Sequence, residues 1–430
     1  MLWAEFILAA ALRIVLLATY ENDPPIEFAG PTASHSRVVE ALFLKEHHHS
    51  IYEGNLFHQP PLVFLWFWLL NSTKSFALLR AVPIIIDLII AFLIYDITLK
   101  NRLSRFPLAL SIPDRKSTLN DDTGLESIAV RLYLFNPLTV LSCVSLSTTS
   151  LTHLSVVLSV YLAFNGRPVT SALAISVAVY LNLLNVVLMI PLTVIIFSSQ
   201  SIIASAVDSD HNNSLQTSGE GKDEPGESIQ FSFNCATISF ISLFFVFLSF
   251  LMLISWASTG SWEWIIHTYQ YVFGVKDLTP NIGIFWYFVT EVFPRFRLFF
   301  LICFHAQIFV YVLPLSIRLW HNPLFLMYTL LHLIAMLKPY PVFGDYGLVY
   351  TLLIMQWGIL KRMRSLFPVY VPLIISFAMS NLIWHMWIEL GSANANFYYF
   401  MSLVSSFSNG LILIEAILAV RQLYTTAEKS

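Results

Sequence analysis

The stretch FSFNCATISFISLFFVFLSFLMLISW, residues 231–256, contains no Asp, Glu, Lys or Arg. A helix needs about 20 mostly apolar residues to cross a bilayer, so this segment spans with room to tilt. Working outward, further apolar stretches fall near 3–19, 75–98, 129–143, 150–164, 169–182, 184–199, 297–317, 323–338, 343–360, 366–388 and 398–420. Together they predict an all-α polytopic membrane protein of about 12 spans in one transmembrane domain over residues 1–430. Several of the middle stretches are short, which marks them as tilted, broken or partly buried. Composition agrees. Charged residues make up 11% of the chain, against about a quarter in a soluble domain, so the apolar excess needs lipid.

The net charge of −3 gives no field to recruit nucleic acid. Cys143, Cys235 and Cys303 sit in apolar text without disulfide or zinc spacing, and no metal or cofactor is expected. The first apolar stretch lacks a basic start and a cleavage pattern, so it reads as a retained span.

Basic residues orient the spans. Lys100, Arg102, Arg105, Arg115 and Lys116 follow the second, Lys361, Arg362 and Arg364 the tenth, and Arg421 and Lys429 the last. Placing these groups in the cytoplasm puts both termini inside. Residues 20–60 then form the first luminal loop, and 257–296 and 389–397 are luminal too. Residues 99–128 and 200–230 become cytoplasmic loops, the second with the low hydrophobicity of a disordered linker. Asn71 and Asn212 begin N-x-S/T sequons, and the cytoplasmic placement forbids glycosylation at Asn212.

Five stretches carry a family resemblance: SRVVEALFL at 36–44, SIYEGNLFHQPPLV at 50–63, LFNPLTVLSCVSLST at 134–148, DLTPNIGIFWYFVTEVF at 277–293 and WHMWIELGSANANFYY at 384–399. Their order and the chain length resemble the PIG-U family. The resemblance implies a non-catalytic subunit of the GPI transamidase in the endoplasmic-reticulum membrane, working beside a catalytic cysteine protease that is another subunit. It also implies a helical bundle similar to GT-C mannosyltransferases and a role in binding and presenting the GPI lipid. An active mannosyltransferase is the alternative. Those enzymes carry an acidic motif before an Arg-Val pair, whereas Arg37-Val38 here follows Ala33-Ser34-His35-Ser36, with no carboxylate. Glu21-Asn22-Asp23 offers an E-x-D further upstream, and the alternative makes Glu21 or Asp23 its base. A lipid transporter is a third class, with no inverted repeat to support it.

The candidate lipid contacts follow. Asn394 and Asn396, two apart in a turn, can direct both amides to phosphate or ethanolamine groups, with Ser392 assisting. Asp277 and Asn281 flank Pro280 before an aromatic run, where a helix start offers N–H groups to an anion, although turn chemistry explains the same residues. His58, before Pro60 and Pro61, is placed to line a vestigial substrate cleft or to make a rigid turn. His47, His48 and His49 read as a solvated loop. Asp87, Glu291 and Glu415 lie in or beside apolar text, and structural pairing inside the bundle is the expectation for them.

Overall fold

The computed structural model describes residues 2–19, 28–72, 76–103, 124–200 and 226–427. Glu21, Asp23, Asn212 and most of the 99–128 and 200–230 loops lie outside the described residues. Within the described residues every regular element is helical, as the apolar text demands.

Two Asn-Pro pairs show how sequence sets the helix starts. Asn136 accepts a hydrogen bond from Leu138 N at 3.0 Å, and Asn322 one from Phe325 N at 3.1 Å. Each asparagine satisfies an N–H that the first turn leaves without a partner, and the proline behind it fills a position needing no donor. A residue before proline avoids the helical region. Asn136 accordingly sits at φ −65°, ψ 123°, and Leu125–Phe135 meets Pro137–Val144 at 45°.

The dozen expected spans do not survive as spans, although each expected stretch falls on helix. Among the described residues six helices are long and apolar enough to cross: Leu78–Asn101, Leu183–Gln200, Cys235–Thr259, Pro294–Leu319, Phe367–Ile388 and Ala395–Thr425. The bent pair makes up to seven. For four of the expected stretches the shortfall is one of length. Thr149–Phe164, Pro168–Leu181, Pro323–Leu337 and Phe343–Ile354 have 16, 14, 15 and 12 residues. At about 1.5 Å per residue none reaches the roughly 30 Å of a hydrocarbon core.

Burial explains why short helices can still be apolar throughout. Pro323–Leu337 is buried on every side, which is where an all-round apolar helix belongs. The outer helices invert this pattern. Only 11% of the Cys235–Thr259 window and 17% of the Pro294–Leu319 window is buried, so Phe245, Phe250, Leu298 and Val310 face outward. Apolar residues outside and short apolar helices inside make a bundle with lipid as its solvent.

Of the three carboxylates expected to pair inside the bundle, Asp87 has an ion partner, whereas Glu291 is exposed. Arg13 donates to Asp87 at 3.1 Å, both side chains being almost fully enclosed, and also to the Leu134 carbonyl at 2.9 Å. Asp87 therefore does pair across helices, as expected, with a residue of the first one. Glu415 accepts from the Arg364 backbone at 3.3 Å.

Candidate functional site

The segments expected on the luminal side are tied together at one end of the bundle. Arg37 reaches Asp277 at 2.7 Å, His58 meets the His267 carbonyl at 2.9 Å, and Tyr399 donates to the Ile284 carbonyl at 3.4 Å. Loops from distant parts of the sequence thus form a single polar cap.

At the last of these loops the two asparagines have different local work. Asn394 caps the final helix, its Oδ1 accepting from Asn396 N at 3.0 Å and Phe397 N at 3.3 Å. Asn396 Oδ1 accepts from the Tyr287 hydroxyl, and Tyr287 stacks on Tyr399 with ring centroids 4.4 Å apart. Both residues are exposed, and each has its oxygen engaged within the protein. Their Nδ2 groups carry no hydrogen bond among the described residues, so four N–H donors point outward from two fixed amides. Ser392 turns back to the Met386 carbonyl at 3.2 Å, after Gly391 takes φ +64° to close the helix end. Beneath them Trp286, Trp384, Trp387 and Tyr398 pack as one aromatic cluster.

Asp277 is the hub of the neighbouring loop. Its carboxylate accepts from Arg37 and from the Thr279 N–H and hydroxyl, while its backbone exchanges hydrogen bonds with the Tyr340 hydroxyl at 3.1 and 3.0 Å. Burial pushes the Asp277 carboxyl up, but the hydrogen bonds from Thr279 and Arg37 outweigh it and hold the group below the usual carboxylate range. Asn281 is fully buried. It accepts from Gly283 N at 2.8 Å and donates to the Thr279 carbonyl at 3.2 Å, so both ends of its amide serve the turn.

His58 is 4% exposed and stacked on Tyr271. Its two ring nitrogens face the His267 and Asn55 carbonyls at 2.9 and 2.8 Å, and a neutral ring has one N–H for those two acceptors. Burial lowers its pKa, the two carbonyls oppose that, and the net position is below the ordinary imidazole value. His49 instead pairs with Glu53 at 3.1 Å on an exposed turn.

Behind His58 lies a cavity whose wall includes His153, Lys338 and Asp345, three residues the sequence reading passed over. Asp345 binds Lys338 at 2.5 Å and His153 at 3.2 Å. A carboxylate in the apolar text of 343–360 is the same signal that singled out Asp87, and it marks Asp345 equally well. Lys338 carried no such mark, because a lysine at the end of an apolar stretch reads as an ordinary boundary residue.

These features define a polytopic α-helical membrane protein with a polar cap of loops at one end and no regular soluble domain among the described residues. Residues 7–405 match the family described as "PIG-U: GPI transamidase subunit PIG-U", and the chain belongs to that family. It is 29% identical to the human "GPI-anchor transamidase component PIGU" over 94% of this chain and 88% of that one. The mouse protein of the same name is 31% identical over the same shares. The "GPI transamidase component GAB1" of Saccharomyces cerevisiae is 27% identical over 91% of this chain and 86% of its own.

Proposed function

We propose that this chain is a non-catalytic subunit of the GPI transamidase in the endoplasmic-reticulum membrane, and that its luminal cap holds the GPI lipid for a cysteine protease in another subunit. The single observation behind the lipid contact is the pair Asn394 and Asn396. Each amide is anchored through its oxygen, by the helix cap and by Tyr287, and each leaves its N–H donors outward beside an aromatic cluster. Fixed donors at a membrane surface suit phosphate oxygens, and Trp and Tyr suit the headgroup level. The absence of a carboxylate at 33–36 supports the non-catalytic assignment, since a sugar acceptor would find no base there. Asp277 then acts as a positioning residue that ties two loops together, with Asn281 shaping its turn.

The test is a pair of substitutions, Asn394→Ala with Asn396→Ala, in cells whose own copy is removed. Complex assembly should persist, surface display of GPI-anchored reporters should fall, and complete GPI should accumulate. Normal display would remove the lipid contact. Truncated GPI intermediates on depletion of the chain would overturn the subunit assignment in favour of glycan assembly.

A further inference from the structure

Gln307 stands at the middle of the 26-residue Pro294–Leu319 helix. At about 1.5 Å per residue it is roughly 18 Å from either end, near the centre of a hydrocarbon core of about 30 Å. It is exposed, on the side opposite the buried Leu301, Ile308, Val312 and Leu319. Its side-chain amide makes no hydrogen bond among the described residues. An amide carries two donors and an acceptor oxygen, and hydrocarbon offers a partner to neither. Exposure in the membrane does not by itself create such a demand. Ser242 faces outward from the Cys235–Thr259 helix, and its hydroxyl donates to the Ile238 carbonyl one turn back at 2.7 Å.

We propose that this face docks a membrane-spanning helix of another transamidase subunit, one that presents a hydrogen-bonding side chain at the depth of Gln307. Phe299, Cys303, Gln307, Val310, Pro314 and Ile317 are all exposed, and their spacing of three or four residues makes one continuous seam for a second helix. Bulk falls away at the amide, where Cys303 and Ala306 are small, so the two backbones can approach closely enough for a direct hydrogen bond. Pro314 adds an acceptor on the same seam, because it has no N–H for the Val310 carbonyl one turn before it. Lipid meets neither need, since its polar atoms lie at the two surfaces. A second copy of this chain is also a poor match. It would share the orientation of the first, and Arg318, exposed on the same face three turns past Gln307, would meet its own counterpart. The identity of the partner rests on the chain being a transamidase subunit.

The test puts the photo-crosslinking residue benzoylphenylalanine in place of Phe299, in cells whose own copy of the chain is removed. The adduct is then mapped by mass spectrometry in the purified complex. It should join Phe299 to a membrane-spanning helix of another subunit, and that helix should carry Asn, Gln, Ser, Thr or His about two turns deeper in the membrane. Gln307→Leu should cut the adduct fivefold or more, while Gln307→Asn, which keeps an amide, should retain most of it. The Leu variant should elute in detergent as the same folded species, because position 307 is exposed. Replacing the partner's polar residue by Leu should reproduce the loss. An adduct with lipid alone, with a second copy of this chain, or with a helix apolar throughout overturns the proposal, as does an adduct that Gln307→Leu leaves unchanged. If the other subunits do not co-purify with the unsubstituted chain, the subunit assignment falls. If they co-purify and no protein adduct forms, this face alone is refuted. Asn394 and Asn396 are intact in every variant, so the headgroup contact is tested separately.

Discussion

Arg37 and Asp277, 240 positions apart in sequence, form an ion pair of 2.7 Å that ties the first loop to the loop before the aromatic run. The pair explains why an Arg-Val motif without its acidic neighbour still has a place in this fold. Its guanidinium meets a carboxylate from elsewhere in the chain.

Acid should weaken this tie. The folded pKa of Asp277 lies below its unfolded value of about 3.9. Its stabilising contribution is therefore complete above that value and is lost as pH falls through the lower, folded value. A hydrogen bond to a charged group contributes about 1.5–3 kcal/mol. Asp277→Asn should lower thermal stability at pH 7 by an amount in that range and flatten the acid limb of the melting curve. An unchanged acid limb in that variant would show that another group controls it.

The Arg13–Asp87 pair makes a sharper prediction, because it lies in the apolar bundle with 0% and 5% of the side chains exposed. Losing either partner leaves a buried charge uncompensated, at about 3–5 kcal/mol. Arg13→Met and Asp87→Leu should each reduce folding yield and unfold early in mixed micelles. The double variant should recover most of the loss, since two apolar side chains remove both charges together. If the double variant is as unstable as the sum of the singles, the pair is not what couples these two helices.

How much of this was legible depends on the range of each signal. Asn322-Pro323 coincides with the expected start of the 323–338 stretch, because cap and proline act within one turn, whereas the expected 129–143 stretch runs straight through the break at Asn136-Pro137. The all-helical class was legible because apolar text without charges has few other solutions in lipid. The number of spans was not. Pro323–Leu337 and Cys235–Thr259 are both apolar on all sides, yet one is enclosed and the other faces outward. Hydropathy gives the same value to a core and to a lipid face. Likewise, Asn394 and Asn396 were visible as a turn, while the anchoring of Asn396 by Tyr287 crosses 109 positions. The His153–Asp345 contact crosses 192, beyond any local pattern.

The different tasks of Asn394 separate capping from ligand contact. Asn394→Ser and Asn394→Asp both retain an N-cap oxygen, so stability should stay within a few tenths of a kcal/mol, whereas Ala costs about 1 kcal/mol. Both remove the outward N–H donors. GPI attachment by the Ser variant should therefore fall nearly as far as with Ala, and the Asp variant should fall further because it presents a negative charge to phosphate. Full attachment by Asn394→Ser would mean that the cap alone matters. Tyr287→Phe frees the Asn396 amide without deleting it, and should produce a smaller loss than Asn396→Ala.

The close approach of two short helices provides the last prediction. A Cβ built on Gly347 would stand 2.6 Å from Thr139 Cγ2, and one on Gly344 would stand 2.5 Å from Ser142 Oγ. Phe343–Ile354 can therefore lie against Pro137–Val144 only because both positions lack a side chain. Gly347→Ala should overpack the contact at a cost of about 1–3 kcal/mol. Thr139→Ser removes the clashing methyl but keeps the hydroxyl that donates to the Tyr133 carbonyl at 2.5 Å. Gly347→Ala combined with Thr139→Ser should then recover stability relative to Gly347→Ala alone, measured as detergent-resistant folded fraction against temperature. Rescue would assign the cost to the methyl contact, because serine restores space there without giving Gly347 back any backbone freedom. A lack of rescue would place the cost in the backbone of the Phe343–Ile354 helix instead.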